Sequence, residues 1–289
     1  MKDYIVRGTD KERNFRFFGA NTKNMIGEAC EKHNTSPVVS AALGRTMTAA
    51  AMMGRMLKSD TDRVSVIIKG DGPIGGIVVE ADGTGYAKGY PYNAQVDIPN
   101  KPNGKLDVSG AIGNADMTVI KDLGLKQPYT GEVPMLSGEI AEDFTLYFAA
   151  SEQTNSVVIL GVLVDRDYSI KQAGGIIIQV LPDATDEAIT VLENKLKDFN
   201  SLTEALDENK SVEDIIRNLL EDIDIMEKTE VGFKCDCSRR RMEKGLITIG
   251  KKDLEQIASE EENIELVCHF CNEKYHFSKG EIENIIAAL

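Results

Sequence analysis

The chain has 289 residues, 42% hydrophobic and 28% charged, with a formal net charge of −14. That length and balance fit a soluble globular protein of two domains, and the acidity argues against nucleic acid, whose binding rests on neutralising phosphates. No stretch approaches twenty apolar residues and Met1-Lys2-Asp3-Tyr4 opens no signal-peptide run, so the sequence predicts a cytosolic chain, off the membrane, with reduced thiols.

Residues 1–181 read as a mixed sheet-and-helix core, so the fold class is α+β. Asn21–His33 suits a short helix with Met25, Ile26, Ala29 and Cys30 on one face, which makes Cys30 a core thiol rather than a nucleophile. His33 at the helix end needs only the favourable dipole. Ser36-Pro37 is an N-cap followed by proline at the first helical position. The helix it opens, to about Lys58, is rich in Ala, Gly and Met, residues that suit close packing. Arg63–Lys69 alternates as a strand, and Gly70-Asp71-Gly72-Pro73-Ile74-Gly75 matches the dinucleotide fingerprint in letters only. The β-branched residues that follow predict strand–turn–strand, where the fingerprint needs a helix to face the pyrophosphate. Ser137 is expected to cap a helix to about Gln153, with Glu139 in its first turn and Ile140, Phe144, Tyr147 and Phe148 as its apolar stripe. Glu139, Glu142, Asp143 and Glu152 lack a partner histidine or metal set and read as a solvated face. Ser156–Val164 and Gly175–Leu181 are strands, and Pro182 marks a boundary.

Residues 182–231 change character, holding fifteen acids against five bases. Ile189, Leu192, Leu196 and Phe199 recur at helical spacing. Ser211-Val212-Glu213-Asp214 resembles a capping box, opening a helix with Val212, Ile215, Ile216, Leu219, Leu220 and Ile223 along one side. This acidic amphipathic helical linker must dock its stripes or expose them. It is either a plain helical subdomain or a movable cover.

Residues 232–289 form a small α+β module carrying four of the five cysteines. Cys235 and Cys237 are separated from Cys268 and Cys271 by the thirty residues Ser238–Val267. Two short-spaced pairs that far apart suit one tetrahedral Zn²⁺. Cys268–Cys271 has knuckle spacing, with Asn272 able to take a left-handed backbone. Cys235 and Cys237 share a face if Phe233–Cys237 runs as a strand. A module this short is marginal alone, whereas structural zinc supplies about 10–16 kcal/mol near neutral pH. Four thiolates leave no open position for hydrolytic chemistry, and His269 and His276 read as outer or packing residues. Arg239, Arg240 and Arg241 set positive charge beside the first pair, favouring thiolate. Oxidation would remove two ligands at once, and adjacency makes Cys235–Cys237 and Cys268–Cys271 the natural disulfides.

At these residues the chain resembles the redox-regulated bacterial chaperone family of the thirty-three-kilodalton heat-shock protein. The matching stretches are Cys235–Ser238, Val267–Phe277, Gln127–Val133, Ser137–Asp143 through Ser151–Gln153, Gly161–Val164 and Ala173–Gly175. Asn155-Ser156 departs from the pattern away from the thiols. The resemblance implies an ATP-independent holdase, not an enzyme, inactive when reduced and zinc-bound. Oxidation would form the two disulfides, release zinc and unfold the tail, exposing apolar surface to unfolding or oxidatively damaged client proteins, with a homodimer on activation. The alternative is a zinc ribbon that binds nucleic acid or a transcription factor, which needs a basic face. An enzyme would need a constellated nucleophile or base, and none is found in the sequence.

Overall fold

The small-residue run that starts at Pro37 is apolar all round, and such a helix has to be buried all round. It forms α2 (Pro37–Gly54), in which only Pro37 and Arg45 escape full burial. This computed structural model of the protein describes residues 2–287 and 289, and the chain divides into two units, Met1–Lys234 and Cys235–Leu289. In the first unit α2 packs against both of two five-stranded antiparallel sheets. One runs β10 (Ile223–Glu230), β1 (Tyr4–Asp10), β2 (Phe15–Asn21), β9 (Ile170–Val180), β8 (Ser156–Val164). The other runs β5 (Ala87–Pro91), β4 (Gly76–Asp82), β3 (Arg63–Gly70), β6 (Ala115–Asp122), β7 (Tyr129–Met135). Helices α1 (Lys23–His33), α3 (Val108–Ile112) and α4 (Ala141–Ser151) complete this core. Cys30 is buried in it, as a core thiol should be. The 70–75 turn does join two strands, β3 and β4.

Away from the exposed, charged β10 edge, the first sheet is packed on both faces, and β8 and β9 read as nearly continuous apolar runs rather than alternating ones. Ile5, Phe18, Ala20 and Ile177 face the α2 side, whereas Tyr4, Val6, Phe17, Ile176 and Ile178 face a second cluster. That second cluster is closed by α5 (Asp186–Lys197), α6 (Leu202–Asp207) and α7 (Val212–Leu220), which bring Leu192, Leu202, Leu206, Val212, Ile215, Ile216 and Leu219 onto the sheet. The acidic stripes therefore dock. Glycines allow the approach: a Cβ on Gly19 would meet Val212 at 2.5 Å and Ile216 at 2.6 Å, and one on Gly161 would meet Thr203 at 2.6 Å.

Two local expectations are corrected. The α7 stripe does not reach Ile223: Glu221 takes φ 63°, which ends the helix, and Ile223 begins β10, paired with β1 from Tyr4↔Glu230 to Asp10↔Ile223. Ser137 does not cap α4. Buried Asp143 inside the first turn accepts from the Ile140 N–H (3.0 Å), the Ser137 N–H (3.0 Å) and the Ser137 hydroxyl (3.1 Å). Glu139 lies before the helix, bonded to Arg45 at 3.0 Å and to Lys101.

The second unit holds α8 (Arg239–Ile249), α9 (Lys251–Glu260), the hairpin β11 (Asn263–Val267) and β12 (Lys274–Ser278), and α10 (Lys279–Ala287). Its buried cluster is Leu246, Leu254, Ala258, Phe277, Ile282 and Ile285. That is a small core, with one aromatic ring.

Gly19→Val should force α7 off the sheet. We expect a loss of about 1–3 kcal/mol in chemical denaturation, the usual cost of overpacking, with faster amide exchange across 212–220. Gly27→Ala, where a Cβ meets nothing within 4 Å, is the control and should not destabilise.

Candidate metal centre

The β11–β12 hairpin places the second thiol pair at its tip. The Cys268 N–H donates to the Glu273 carbonyl (2.9 Å), and the N–H groups of Cys271 (3.3 Å) and Asn272 (2.8 Å) donate back to the Cys268 carbonyl. This turn needs a left-handed residue, and Asn272 supplies it at φ 56°. The first pair comes from the segment before α8. Phe233 makes one parallel bridge to Ala87, but Cys235–Cys237 joins no ladder, which corrects the expected Phe233–Cys237 strand. Shared direction is achieved instead in irregular backbone that ends at Ser238, whose hydroxyl caps α8 by accepting from the Arg241 N–H at 3.3 Å.

All four sulfurs lie within 4.8 Å of one another, with Cys235 and Cys268 at 3.7 Å and Cys237 and Cys271 at 3.3 Å. None is in a disulfide. A tetrahedral zinc with Zn–S bonds of about 2.3 Å has sulfur–sulfur edges of about 3.8 Å. The cluster fits that size, and its soft donors suit zinc. Cys235, Cys237, Cys268 and Cys271 could together hold one such ion. Because every sulfur pair is within 4.8 Å, distance alone does not choose which disulfides would form.

The thiols are not alike electrically. Burial pushes Cys235 up to about 11 and raises Cys271 as well. Burial opposes ionisation at Cys237 too, but the Tyr275 hydroxyl donates to its sulfur at 3.2 Å and neighbouring thiols point at it, so the net direction is down. The Tyr275 hydroxyl is raised in return, held first by that hydrogen bond and then by burial. Cys237 also sits immediately before the α8 N-terminus, where the helix dipole favours negative charge.

Two of the three arginines do less than their spacing suggests. Arg241 pairs with Asp236, and Arg239 pairs with Glu281 at 2.6 Å, donates to the His276 carbonyl at 2.7 Å and lies over the Phe277 ring at 4.3 Å. Their charge is answered by carboxylates. His276 is exposed and 3.7 Å from Glu265, and His269 is exposed beside Cys268. Neither belongs to the cluster of candidate ligands. Tyr275 is the contributor that sequence reading missed. It shares a face of β12 with Phe277, and nothing in that period-two spacing signals a thiol partner.

The family model described as Hsp33 protein matches residues 3–278. The 33 kDa chaperonins of Clostridioides difficile and of Alkaliphilus metalliredigens are each 48% identical over 289 residues, covering 99% of both chains. Among solved structures, the crystal structure of the 33 kDa chaperonin (heat shock protein 33 homolog) of Thermotoga maritima aligns with a TM-score of 0.94 at 33% identity, covering 100% of this chain and 99% of that one.

Tyr275→Phe removes a donor to a candidate ligand while keeping the ring. Losing such an outer partner typically costs 10–100-fold in metal affinity, and competition with a chromophoric zinc chelator should read a drop in that range. Because protonated thiols must lose their protons to bind, zinc affinity should fall as pH falls, with protons released on uptake. Calorimetry in buffers of differing ionisation heat measures that number.

Proposed function

This chain belongs to the Hsp33 protein family, and on that footing we propose that it is an ATP-independent holdase switched by oxidation. Held inactive while Zn²⁺ sits on Cys235, Cys237, Cys268 and Cys271, it would become active when those thiols form the Cys235–Cys237 and Cys268–Cys271 disulfides. The observation that carries this reading is the gathering of four free sulfurs within 4.8 Å, in a unit whose own buried cluster is small.

Bound zinc would supply a crosslink and hold its ligands as thiolates. The chemistry of the chain is then a two-electron oxidation at each pair. A thiolate attacks peroxide, giving a sulfenic acid and hydroxide; the neighbouring thiolate attacks that sulfur, forming the S–S bond and expelling a second hydroxide. The two hydroxides take up two protons as water. Adjacency favours these pairings once the module loosens, because a bond between Cys235 and Cys268 would have to close a far longer loop. With its crosslink gone, the module keeps too little core to stay folded. Apolar surface from the tail and from the stripes of α5–α7 would then meet unfolding or oxidatively damaged proteins, and the active form would be a homodimer. Membership of this family makes it a chaperone by descent, with no catalytic residue assigned. No helix among the described residues is long and apolar enough to cross a membrane; we place the chain in the cytoplasm. A nucleic-acid-binding ribbon would need a basic face, and Arg239 and Arg241 are instead paired with acids.

Peroxide at raised temperature should release one zinc per chain to an indicator dye and yield both disulfides in peptide mapping. Suppression of aggregation of a thermally unfolded reporter enzyme should rise at least tenfold, and thiol reductant should reverse it. Equal suppression before and after peroxide would remove the switch. Cys268→Ser should lose most zinc affinity and with it the dependence on oxidant.

A further inference from the structure

The two edges of the first sheet are built differently. A free edge strand offers unpaired N–H and C=O groups to any passing strand, and proteins usually guard such edges with charge, proline or a short length. The β10 edge is guarded: it carries Asp224, Glu227, Lys228 and Glu230, with Glu227 paired to Arg7 and Arg55 at 2.6 Å each and Lys228 to Glu213 at 2.7 Å. The opposite edge is β8, Ser-Val-Val-Ile-Leu-Gly-Val-Leu-Val over nine residues, without a charge or a proline. Among the described residues its only strand partner is β9.

The phase of its free groups follows from one bond. The Val180 N–H donates to the Asn155 carbonyl at 2.9 Å, and the register continues Ser156↔Gln179, Val157↔Ile178 and onward to Gly161↔Gly174. In an antiparallel pair the exchanged bonds fall on every second residue. Residues 155, 157, 159 and 161 therefore bond to β9, and Val158, Leu160 and Val162 turn their N–H and C=O outward. Alongside runs a groove of about 760 Å³, walled by the 199–208 segment with α6 on one side and by Pro37, Arg45 and the 104–106 loop on the other. Its lining carries Asp165, Glu204, Asp207 and Glu208 with Arg45 and Lys105; Arg45 is held by Glu139 at 3.0 Å, and Asp207 and Glu208 pair with Lys171 and Lys210 at 2.8 Å each, which leaves Asp165 and Glu204 facing Lys105.

We infer that β8 is a strand-addition site, taking an extended apolar segment of a non-native polypeptide flanked by Lys or Arg. This rests on the holdase reading and names how such a chain is gripped. Backbone hydrogen bonds are indifferent to sequence, so an edge strand suits a partner whose sequence is not fixed. While α6 is docked the groove walls take alternate side chains, and Asp165 and Glu204 favour basic flanks. Both faces of β8 are already packed, by α2 and α6, so the incoming segment completes an edge without reorganising the core. The edge itself belongs to the core sheet, so it stays available when α5–α7 leave, whereas the wall given by α6 is present only while they are docked.

The test uses the full chain in two separate samples, zinc-loaded reduced and zinc-free oxidised, with a fluorescein-labelled ten-residue peptide of alternating Val and Thr ending in Lys pairs. A second peptide has the same side chains but is N-methylated at alternate residues, which removes the donors of one edge. The parent should bind in fluorescence anisotropy and the methylated copy at least tenfold more weakly. Amide exchange at Val158, Leu160 and Val162 should slow on peptide addition. Leu163→Lys, which puts a guarding charge on the strand, should weaken the parent about tenfold and leave zinc content unchanged. Equal binding of the two peptides, or unchanged exchange at those amides, overturns the proposal. So does protection there without peptide that grows with protein concentration, since a second copy would then own the edge. If reporter enzymes stay soluble while the β8 amides exchange as before, this proposal fails and the holdase reading stands. An oxidised chain that binds the peptide at β8 yet holds no reporter would keep the site and remove the holdase reading.

Discussion

Four sulfurs from two segments thirty residues apart meet within 4.8 Å, and they do so in the part of the chain least able to hold itself together. Six fully buried side chains, one of them aromatic, make up the cluster of Cys235–Leu289. At about 1.5–3 kcal/mol per large buried side chain, that burial is small against the entropy of ordering the module. A single ion on four thiolates would add a contribution as large as the whole of such a core. The same atoms that would stabilise the module are the ones an oxidant attacks, so stability and reactivity are vested in one place. Tyr275 and the start of α8 reinforce this, since both favour negative charge at Cys237.

The first unit follows a different logic. There the energy lies in a helix and a sheet each covered on two sides. α2 is buried around its whole circumference, and the first sheet is packed by α2 on one face and by α5–α7 on the other. The covering helices are amphipathic and acidic outside, and α6 and α7 come close to the sheet at glycines that lack a Cβ, Gly19 and Gly161 among them. An element that carries its own polar face can leave a sheet without becoming insoluble. The sheet it leaves cannot, because Val6, Phe17, Ile176 and Ile178 have no other cover. Such asymmetry suits a surface kept for other chains. The contrast between the guarded β10 edge and the bare β8 edge extends it to the backbone.

Local chemistry made much of this legible. The Asn272 turn, the capping box at Ser211, the proline start of α2 and the strand–turn–strand reading of the 70–75 glycines each depend on residues within one turn of one another, where steric rules act directly. The failures also have local causes. Asp143 could cap α4 from inside its first turn because Ser137 and Ile140 fold back onto it, a reversal that no spacing announces. Ile223 continued the α7 stripe in letters, but the left-handed backbone at Glu221 turned it into an edge strand. The arginines beside Cys237 had the right charge, and long side chains carried that charge to Asp236 and Glu281.

From the sequence alone came the number and kind of the sulfur donors, the two-pair spacing, the acidic amphipathic stretch and the family resemblance, because thiolate chemistry and helical periodicity are properties of residue type and order. What only the tertiary structure decided is which groups the chain brings together across distance: Tyr275 onto Cys237, Val212 and Ile216 onto Gly19, Glu227 onto Arg55, and the free outer edge of β8. Those depend on which strand lies beside which. Strand order is settled by the packing of the whole core, which no local stretch contains.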